Sequence, residues 1–287
     1  MSYPYYGQIG DIWKHLPLCS FLDNEKPHRY IESNSAKAYY TLTKTPQQIY
    51  GVYFFFNASR KSDILINSPY YQILNSLTHN KKGLHDYLGS PALALTLLSG
   101  HTDEFIFFDI DSDALDNINE YVKTRAIQAS VTLLNQDSRD GMYPIIDTLN
   151  ENDFIHFDPY YIFGNNNSGK NIYDAFLAAS ARGIKCMLWY GYTTADEHAR
   201  ILNFIKEKSK TLTKARSVEI TLKIIQKDKV EVNPGVLGCG VLISNLSDKS
   251  FQDIEVLSDE LVSIYKGATI FNTYSGELFK KSYSFTA

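Results

Sequence analysis

The sequence predicts a doubly wound α/β fold with a mostly parallel sheet of seven strands, and three observations support this prediction. Short apolar or alternating runs are interleaved with segments of helical periodicity, a pattern typical of a parallel sheet with crossover helices. Acidic residues, among them Asp109 and Asp158, directly follow two of these runs, at the strand ends where open α/β sheets bind ligands. The chain has 287 residues, 44% of them hydrophobic, which is enough to bury a large core.

The N-terminal segment predicts a helix that follows an aromatic stretch. Asp11, or the residue before it, is the candidate N-cap, and apolar residues recur at helical spacing over 12–19. Pro17 interrupts the pattern, so the helix either begins after Asp11 or is kinked. Lys14 and His15 are either solvated helix residues or cations that face a polar ligand group near the helix start.

The segment 29–38 predicts the first strand, which ends in the acid Glu32, and the turn after it. Residues 41–86 have no place in a minimal doubly wound fold, so we expect them to form a small inserted subdomain. Within the insertion, periodicity does not distinguish a strand from a buried helix over 50–56. The chain therefore divides into a first part of the main domain, the insertion and the remainder of the main domain, at 1–40, 41–86 and 87–287.

Helix and strand signals continue after the insertion. Ser90 is predicted to cap a helix that has Pro91 in its first turn. The later strands are predicted at 185–191, 218–223 and 235–245, the last two as a late antiparallel pair. The later helices are predicted at 171–182, 195–208 and 248–266.

Acidic residues follow the second and third predicted strands. A carboxylate at the end of the second strand can accept hydrogen bonds from both hydroxyls of a ribose, and Asp109 is the candidate, with Asp111 as its rival. The structural alternative is that this pair caps the next helix. Asp137 follows the third strand in the same way.

The apolar run 154–157 predicts a buried strand that ends at Asp158, because Pro159 cannot donate a hydrogen bond to a central ladder. The carboxylate is then followed by Tyr160 and Tyr161. A hydrogen-bond acceptor next to aromatic rings, on which another ring can stack, suits a flat nitrogenous substrate. A purely structural turn after the strand is the alternative.

Composition excludes several classes of protein. No apolar run approaches the roughly 20 residues that span a bilayer, and the N-terminus lacks the features of a signal peptide, so we expect a cytoplasmic protein. Cys19, Cys186 and Cys239 are widely spaced among apolar neighbours and are predicted to be core thiols. The histidines show no ligand spacing, and we predict no metal site. The net charge of −4 argues against an extended nucleic-acid surface but allows a local basic patch.

Five of these motifs resemble, in the same order, those of the J-type 23S ribosomal RNA adenine-N6-methyltransferases. Residues 7–15 resemble the family's Gly-Asn-x-Ala-Asp-Val-x-Lys-His, and 87–92 resemble its Tyr-Pro-Gly-Ser-Pro-Leu. Residues 188–190 match its Leu-Trp-Tyr, and 238–240 its Gly-Ser-Gly. Residues 158–161, Asp-Pro-Tyr-Tyr, resemble the Asp/Asn-Pro-Pro-Tyr/Phe motif of amino-methyltransferases, with tyrosine in place of the second proline.

A second departure follows the first strand, where the family has Asp-x-x-Ala-Gly-x-Gly. Here Glu32 is followed by 33–37, Ser-Asn-Ser-Ala-Lys, without glycines. Glycines at such a turn let the backbone approach a cofactor closely. A non-catalytic relative of the enzymes would also show this change.

The resemblance implies a Rossmann-like class I methyltransferase with S-adenosylmethionine as cofactor. It implies that Asp158 and Tyr161 are the catalytic residues: Asp158 holds the amine of the methyl acceptor, and Tyr161 stacks on the ring that carries this amine. Asp158 would also contact the cofactor. It places Asp11 at the pocket, and Tyr5, Tyr6 and Tyr160 on the substrate side. The candidate cofactor-binding residues are Lys14, His15, Glu32, Ser90, Asp109, Asp137 and Asp158.

Three functions follow from the sequence. The first is transfer of a methyl group to adenine N6 in RNA, most plausibly ribosomal RNA. The second is the same chemistry on a small molecule or another acceptor, which the acidic net charge and Tyr160 favour. The third is a non-catalytic binding protein that descends from such an enzyme, which the glycine-free turn favours. The oligomeric state is left open between a monomer and a homodimer.

Overall fold

The computed structural model describes residues 5–79, 81–212, 214–222, 236–267, 269–271, 274–275 and 277–285. The strands in this part of the chain are β1 (Arg29–Glu32), β2 (Tyr39–Thr41), β3 (Asp86–Leu88), β4 (Glu104–Asp109), β5 (Ser130–Asn135), β6 (Phe154–Phe157), β7 (Lys185–Tyr192), β8 (Ala215–Leu222), β9 (Gly238–Ser244), β10 (Thr269–Phe271), β11 (Tyr274–Ser275) and β12 (Leu278–Phe285). The α-helices are α1 (Ile9–Glu25), α2 (Pro46–Gln48), α3 (Phe54–Ala58), α4 (Asp63–Ile66), α5 (Pro69–Ser76), α6 (Ser90–Leu97), α7 (Ser112–Thr124), α8 (Ser138–Ile146), α9 (Ile172–Ala181), α10 (Ala195–Lys208) and α11 (Asp248–Tyr265).

Eight of the described strands form one sheet, in the order β12-β8-β9-β7-β6-β1-β4-β5. The central strand β1 pairs in parallel with β4 and β6, and β4–β5 and β6–β7 are parallel pairs as well. Strand β9 is antiparallel to both β7 and β8, and β12 is antiparallel to β8. The prediction of an α/β fold with a large, mostly parallel sheet and a late antiparallel pair is therefore confirmed.

Helices cover both faces of this sheet, because side chains along the central strands alternate between two cores. Tyr30 and Phe105 belong to the core that includes residues of α1, α6, α7 and α11. Ile31 and Ile106, their neighbours in sequence, belong to the core that includes residues of α8, α9 and α10. Both faces are thus buried, which explains why β1, β4 and β6 are almost continuously apolar.

The predicted count of seven strands is wrong, because β12 is an eighth strand at the edge of the sheet. Only its two ends, Leu278 and Phe285, are buried, and Lys280 and Lys281 occupy its middle. Charged residues are common on edge strands, where they oppose pairing with other chains. Such a strand lacks the apolar periodicity on which the prediction depended.

Two predicted helix caps are corrected by the structure. Helix α1 begins at Ile9, and Asp11 lies inside its first turn, where its Oδ2 accepts a hydrogen bond from the backbone N–H of Gly7 at 2.8 Å. The helix continues through Pro17. Helix α6 has Gly89 as its N-cap, and Ser90 is its first residue.

The insertion is helical over most of its length. Strands β2 and β3 pair in an antiparallel manner, and α2 to α5 lie between them in the chain. A π-helical turn at Ile49–Tyr53 leads into α3, so the run 50–56 is helical rather than a strand. That 41–86 forms a distinct subdomain stays a prediction.

The remaining elements agree with the sequence except at their ends. The strands predicted at 218–223 and 235–245 are β8 and β9, but Lys223 and Gly235 lie outside the described residues. All three cysteines are buried and free, as expected of core thiols. Among the described residues, no helix combines the length and the hydrophobicity needed to cross a membrane.

Candidate active site

A pocket of about 220 Å³ lies at the carboxyl ends of β1, β4, β5 and β6. The chain moves outward from β1 to β4 and β5, then crosses back to β6, so the strand order reverses next to β1. In open α/β sheets, ligands bind where the order reverses in this way. The pocket is lined by Ser33, Asn34, Asp109, Ile110, Gln136, Asp137, Ser138, Arg139, Pro159, Tyr160, Tyr161, Gly164 and Ile172.

Asp109 holds the turn after β1 against the end of β4. Its Oδ2 accepts a hydrogen bond from the backbone N–H of Ala36 at 2.8 Å, and its Oδ1 accepts one from the backbone N–H of Asp111 at 2.8 Å. Ala36 has a φ of 52°, the left-handed conformation that glycine adopts most readily. The turn therefore keeps a glycine-type geometry without glycine, and the Asp109 carboxylate stabilises it.

The structure separates the roles of the two acids after β4. Asp111 is the N-cap of α7, where its side chain accepts a hydrogen bond from the backbone N–H of Asp113 at 3.1 Å. Asp109 lines the pocket and is only 8% exposed. The capping alternative therefore applies to Asp111, and a role of Asp109 in binding a ribose stays a prediction.

Asp137 also lines the pocket, but Arg139 contacts both of its carboxylate oxygens. The guanidinium Nη2 lies 2.7 Å from Oδ2, and Nε lies 3.0 and 3.1 Å from the two oxygens. Asp137 is the N-cap of α8 as well, accepting from the backbone N–H of Arg139 at 2.9 Å. These hydrogen bonds from Arg139 lower the pKa of the Asp137 carboxyl.

Asp158 directly follows β6 and forms an ion pair with Lys14 of α1. Lys14 Nζ lies 2.7 Å from Asp158 Oδ2 and 3.1 Å from Asp11 Oδ1, and the three side chains are 12–15% exposed. The backbone N–H of Asp158 donates to Ser33 Oγ at 3.2 Å, which ties the end of β6 to the turn after β1. The Lys14 ammonium therefore occupies one acceptor oxygen of Asp158.

The charges of this cluster depend on one another. Burial alone would lower the pKa of Lys14, but the carboxylates of Asp158 and Asp11 raise it above its ordinary value. Burial raises the pKa of Asp11, and the Lys14 ammonium opposes that effect. Lys14 is therefore a permanent cation between two acids.

Three of the predicted cofactor-binding residues, His15, Glu32 and Ser90, are buried and do not line the pocket. Glu32 is fully buried, and its carboxylate accepts hydrogen bonds from Ser90 Oγ and, at 3.0 Å, from Tyr30 Oη. His156 Nδ1 lies 3.3 Å from the same carboxylate. The Ser90 hydroxyl thus bonds a side chain, which explains why it does not cap α6.

His15 is buried as well, and its Nδ1 lies 2.8 Å from Tyr87 Oη. Burial lowers the pKa of His15 well below its ordinary value, so the ring is neutral. The prediction of a cationic His15 near the helix start is therefore corrected. A buried imidazolium without a counter-charge would be costly. Its Nε2 has no partner among the described residues.

The candidate substrate-side tyrosines fall into two groups. Tyr160 and Tyr161 line the pocket, are 79% and 53% exposed, and contact each other edge to face with centroids 4.6 Å apart. Tyr6 is half-buried, stacks on Tyr40 at 4.5 Å and donates to the Thr41 carbonyl. Tyr5 is largely exposed. The structure therefore brings Tyr160 and Tyr161 to the pocket, whereas Tyr6 has a packing role.

Sequence reasoning missed several residues of the pocket wall, among them Ile110 and Arg139. Ile110 is 63% exposed although it is strongly apolar, and it follows Asp109 at the end of β4. An apolar residue directly after a strand's terminal acid was the available signal. Arg139 gave no comparable signal, because its contact with Asp137 depends on the geometry of the first turn of α8.

Comparisons with known proteins give the fold. No family model matches the chain, and no curated protein matches it. A structure of a Legionella pneumophila protein, described by the family model DUF519, is similar over 98% of each chain with a TM-score of 0.74 and 17% sequence identity. At this identity the match shows a shared fold and nothing further.

Two more distant structures were also found. One is a Streptococcus mutans protein described as a methyltransferase in complex with SAH, with a TM-score of 0.37, 13% identity, and coverage of 79% of this chain and 96% of that one. The other, from Clostridium thermocellum, is described as an rRNA methylase, with a TM-score of 0.40, 11% identity, and coverage of 80% and 94%. Both TM-scores are below 0.5, so these two structures are only distantly similar to this chain.

Proposed function

We propose that this chain is an S-adenosylmethionine-dependent N-methyltransferase whose Asp158 holds the amine of the methyl acceptor. One observation carries the proposal: the Asp158 carboxylate binds an N–H donor, the Lys14 ammonium, at 2.7 Å. Asp158 is not itself among the residues that line the pocket, but it directly precedes Pro159, Tyr160 and Tyr161, which are. An acceptor oxygen beside aromatic surface is what a planar ring with an exocyclic amine requires.

The pocket fits the cofactor in two of its chemical features. Its volume of about 220 Å³ is below the roughly 300–1,000 Å³ that is usual for ligand sites, so it would enclose only part of the cofactor. Asp109 would accept hydrogen bonds from ribose hydroxyls, and the exposed Ile110 would contact the face of the base. When bound, the cofactor supplies an electrophilic methyl group on a sulfonium.

The chain's own residues would act by positioning. Asp158 would accept an N–H of the acceptor amine and so orient the nitrogen lone pair, and Tyr161 would stack on the ring that carries the amine. Lys14 must leave Asp158 Oδ2, or the amine must use the second oxygen, Oδ1. Because Asp11 still holds the ammonium, Lys14 can move off Asp158 without losing both counter-charges.

We propose adenine N6 in RNA as the acceptor. Support comes from the motif resemblance and from Tyr160 and Tyr161, since base stacking on exposed aromatic side chains is common in recognition of unpaired RNA. A small-molecule acceptor is the alternative, and the net charge of −4 favours it. A non-catalytic binding protein is the third possibility. It is favoured by the glycine-free turn and by the hydrogen bond from Ser90 to Glu32, which occupies two of the predicted cofactor-binding residues.

Transfer of radiolabelled methyl from S-adenosylmethionine tests the proposal. We expect incorporation into protein-free ribosomal RNA in preference to assembled ribosomes, because the target base must be accessible. Asp158→Ala is the matched control and should abolish the incorporation. Incorporation into a small-molecule extract alone would favour the second function. Failure to label either pool would refute the catalytic proposal.

A further inference from the structure

The loop that follows β6 carries the two exposed tyrosines of the pocket and is tied to the pocket wall at both of its ends. At its start, the backbone N–H of Asp158 donates to Ser33 Oγ at 3.2 Å. At its end, the carbonyl of Gly164 accepts a hydrogen bond from Arg139 Nη1 at 3.1 Å. We call residues 159–164 the acceptor loop. Because both partners line the pocket, they fix this loop relative to the site proposed for the cofactor.

Arg139 is itself held in a defined orientation. Its Nη2 donates to Asp137 Oδ2 at 2.7 Å, and its Nε–H is shared between the two carboxylate oxygens at 3.0 and 3.1 Å. A two-point contact of this kind fixes the plane of a guanidinium. The remaining nitrogen, Nη1, therefore meets the Gly164 carbonyl from a fixed position. A lysine at 139 would keep the charge but has no second nitrogen for the loop.

Gly164 lies next to the tyrosine that is expected to stack on the methyl acceptor. A methyl group on the Gly164 Cα would lie 3.6 Å from Tyr161 Cβ, which is ordinary van der Waals contact. Between the two, Ile162 is buried in the core, and Phe163 packs edge to face on Phe204 of α10 with centroids 5.6 Å apart. The backbone of the acceptor loop is thus held from behind, while Tyr161 stays 53% exposed.

Asp137 keeps an acceptor position while it holds Arg139. Three N–H groups reach its carboxylate, namely the shared Nε–H, one on Nη2 and the backbone N–H of Arg139, which donates to Oδ1 at 2.9 Å. A carboxylate accepts about four hydrogen bonds. The exocyclic amine of an adenine base can therefore bind Asp137 without displacing Arg139. The base of the cofactor and the acceptor loop are then joined by one chain of hydrogen bonds.

We propose that Arg139 is a positioning residue for the methyl acceptor, and that it sets the place of the Tyr161 ring by holding the Gly164 carbonyl. The inference rests on the proposed function, since it takes Tyr161 to stack on the acceptor. Arg139 itself contacts neither the acceptor nor the methyl group. Loss of its contact with Gly164 should release the loop and weaken acceptor binding, while the cofactor keeps its affinity because Asp137 stays in place.

Amide hydrogen exchange on the full chain without ligands tests whether Arg139 holds the loop. In Arg139→Lys, peptides that cover 159–166 should exchange at least about 10-fold faster than in the parental protein, the scale for losing a hydrogen bond from a charged donor. Peptides from β6 should exchange at the parental rate, which shows that the core is intact. Parental exchange of the loop in this variant would overturn the inference.

Steady-state methyl transfer to protein-free ribosomal RNA tests the consequence for the acceptor. Arg139→Lys should raise KM for the RNA about 10-fold and change kcat by less than about threefold, because stacking on Tyr161 is made in the ground state and in the transition state alike. The Kd of S-adenosylmethionine in calorimetry should stay within about threefold of the parental value. A parental KM for the RNA would overturn the inference, as would an effect on cofactor affinity alone.

Lys170→Met is the matched control. Lys170 follows the acceptor loop, and its Nζ lies 3.6 Å from the Asp140 carboxylate of α8. Its removal should leave the exchange of the loop and the KM for RNA unchanged. The ratio of the two KM values, Arg139→Lys to parental, should also be the same at about 50 and 200 mM salt, whereas a phosphate contact weakens with salt. An equal effect of Lys170→Met, or a ratio that falls towards one in salt, would overturn the inference.

Failure of the inference and failure of the proposed function give different results. If the parental protein methylates RNA and Arg139→Lys matches it in loop exchange and in KM, the inference alone is refuted. If the parental protein transfers no methyl group, the proposed function is refuted, and the inference is refuted with it.

Discussion

Replacement of Lys14 by methionine removes the cation that lies between Asp11 and Asp158 while keeping the volume of the side chain. The ammonium is 2.7 Å from one carboxylate and 3.1 Å from the other. At an effective dielectric constant of about 20, these separations correspond to roughly 6 and 5 kcal/mol of Coulomb attraction. Desolvation of the three groups and repulsion between the carboxylates offset much of this attraction.

The measurable quantity is the cost of removing one partner of a largely buried ion pair, which is about 3–5 kcal/mol in unfolding free energy. We expect Lys14→Met to lose about 3 kcal/mol at pH 7 in urea denaturation, at the lower end of that range because the side chains remain slightly exposed. The loss should depend on pH. Without the ammonium, less opposes the effect of burial, which raises the pKa of Asp11, and stability is lost as pH rises from the ordinary carboxyl pKa through the raised one.

The loss for Lys14→Met should therefore shrink as the pH is lowered from 8 towards 5, with a slope of up to about 1.4 kcal/mol per pH unit. The double variant Lys14→Met, Asp11→Asn removes one of the repelling charges and keeps an acceptor for the Gly7 N–H. It should recover about 1–2 kcal/mol relative to the single variant. A loss below about 1 kcal/mol that is independent of pH would refute the view that Lys14 neutralises this pair.

Two further predictions concern the cofactor pocket and acid stability. Asp109→Ala should weaken S-adenosylmethionine binding by about 1–3 kcal/mol in calorimetry, with Asp111→Ala as the control that leaves it unchanged, and equal effects of the two would remove Asp109 from the site. Burial opposes ionisation of Glu25, but hydrogen bonds from Ser247 and Ser250 lower its pKa below the ordinary 4.5. The resulting stability is present above that value and is lost as pH falls through the lowered pKa, so Glu25→Gln should cost about 1.5–3 kcal/mol at pH 7. That cost should shrink in an acid denaturation series as pH falls below 4.5 and disappear below the lowered pKa, and a difference that stays unchanged throughout would contradict this assignment.

The sequence predicted the structure well where the chemistry of a residue allows only one local arrangement. The proline after the apolar run 154–157 fixed the end of β6, and with it the position of Asp158. The acids at the ends of β4 and β5 could be located in the same way, because each follows a buried strand. These three positions converge because the carboxyl ends of parallel strands meet at one edge of a sheet.

The sequence could not show which polar groups would be used by their neighbours. His15, Glu32 and Ser90 were all predicted to contact a cofactor, but all three are buried and bonded to neighbours within the protein. His15 of α1 bonds Tyr87 of β3, and Ser90 of α6 donates to Glu32 of β1. Arg139 contacts Asp137 because Asp137 is the N-cap of α8 and Arg139 lies in the first turn of that helix. Such contacts depend on the directions of the side chains in the folded protein. Neither the spacing of residues nor the hydrophobic periodicity of the sequence predicts these directions.

The central claim is that Asp158 orients the methyl acceptor without holding the cofactor, and single-turnover methyl transfer measured beside cofactor affinity tests it most directly. Asp158→Ala removes one of the two counter-charges of Lys14 and should therefore lower the free energy of unfolding, which urea denaturation measures beside the assay. The folded variant should keep nearly the parental S-adenosylmethionine affinity while the transfer rate falls at least about 10²-fold, as for loss of one preorganised transition-state contact. Asp158→Asn should keep partial activity, because its amide carbonyl still accepts a hydrogen bond from the amine. Transfer at the parental rate by both variants would contradict the account.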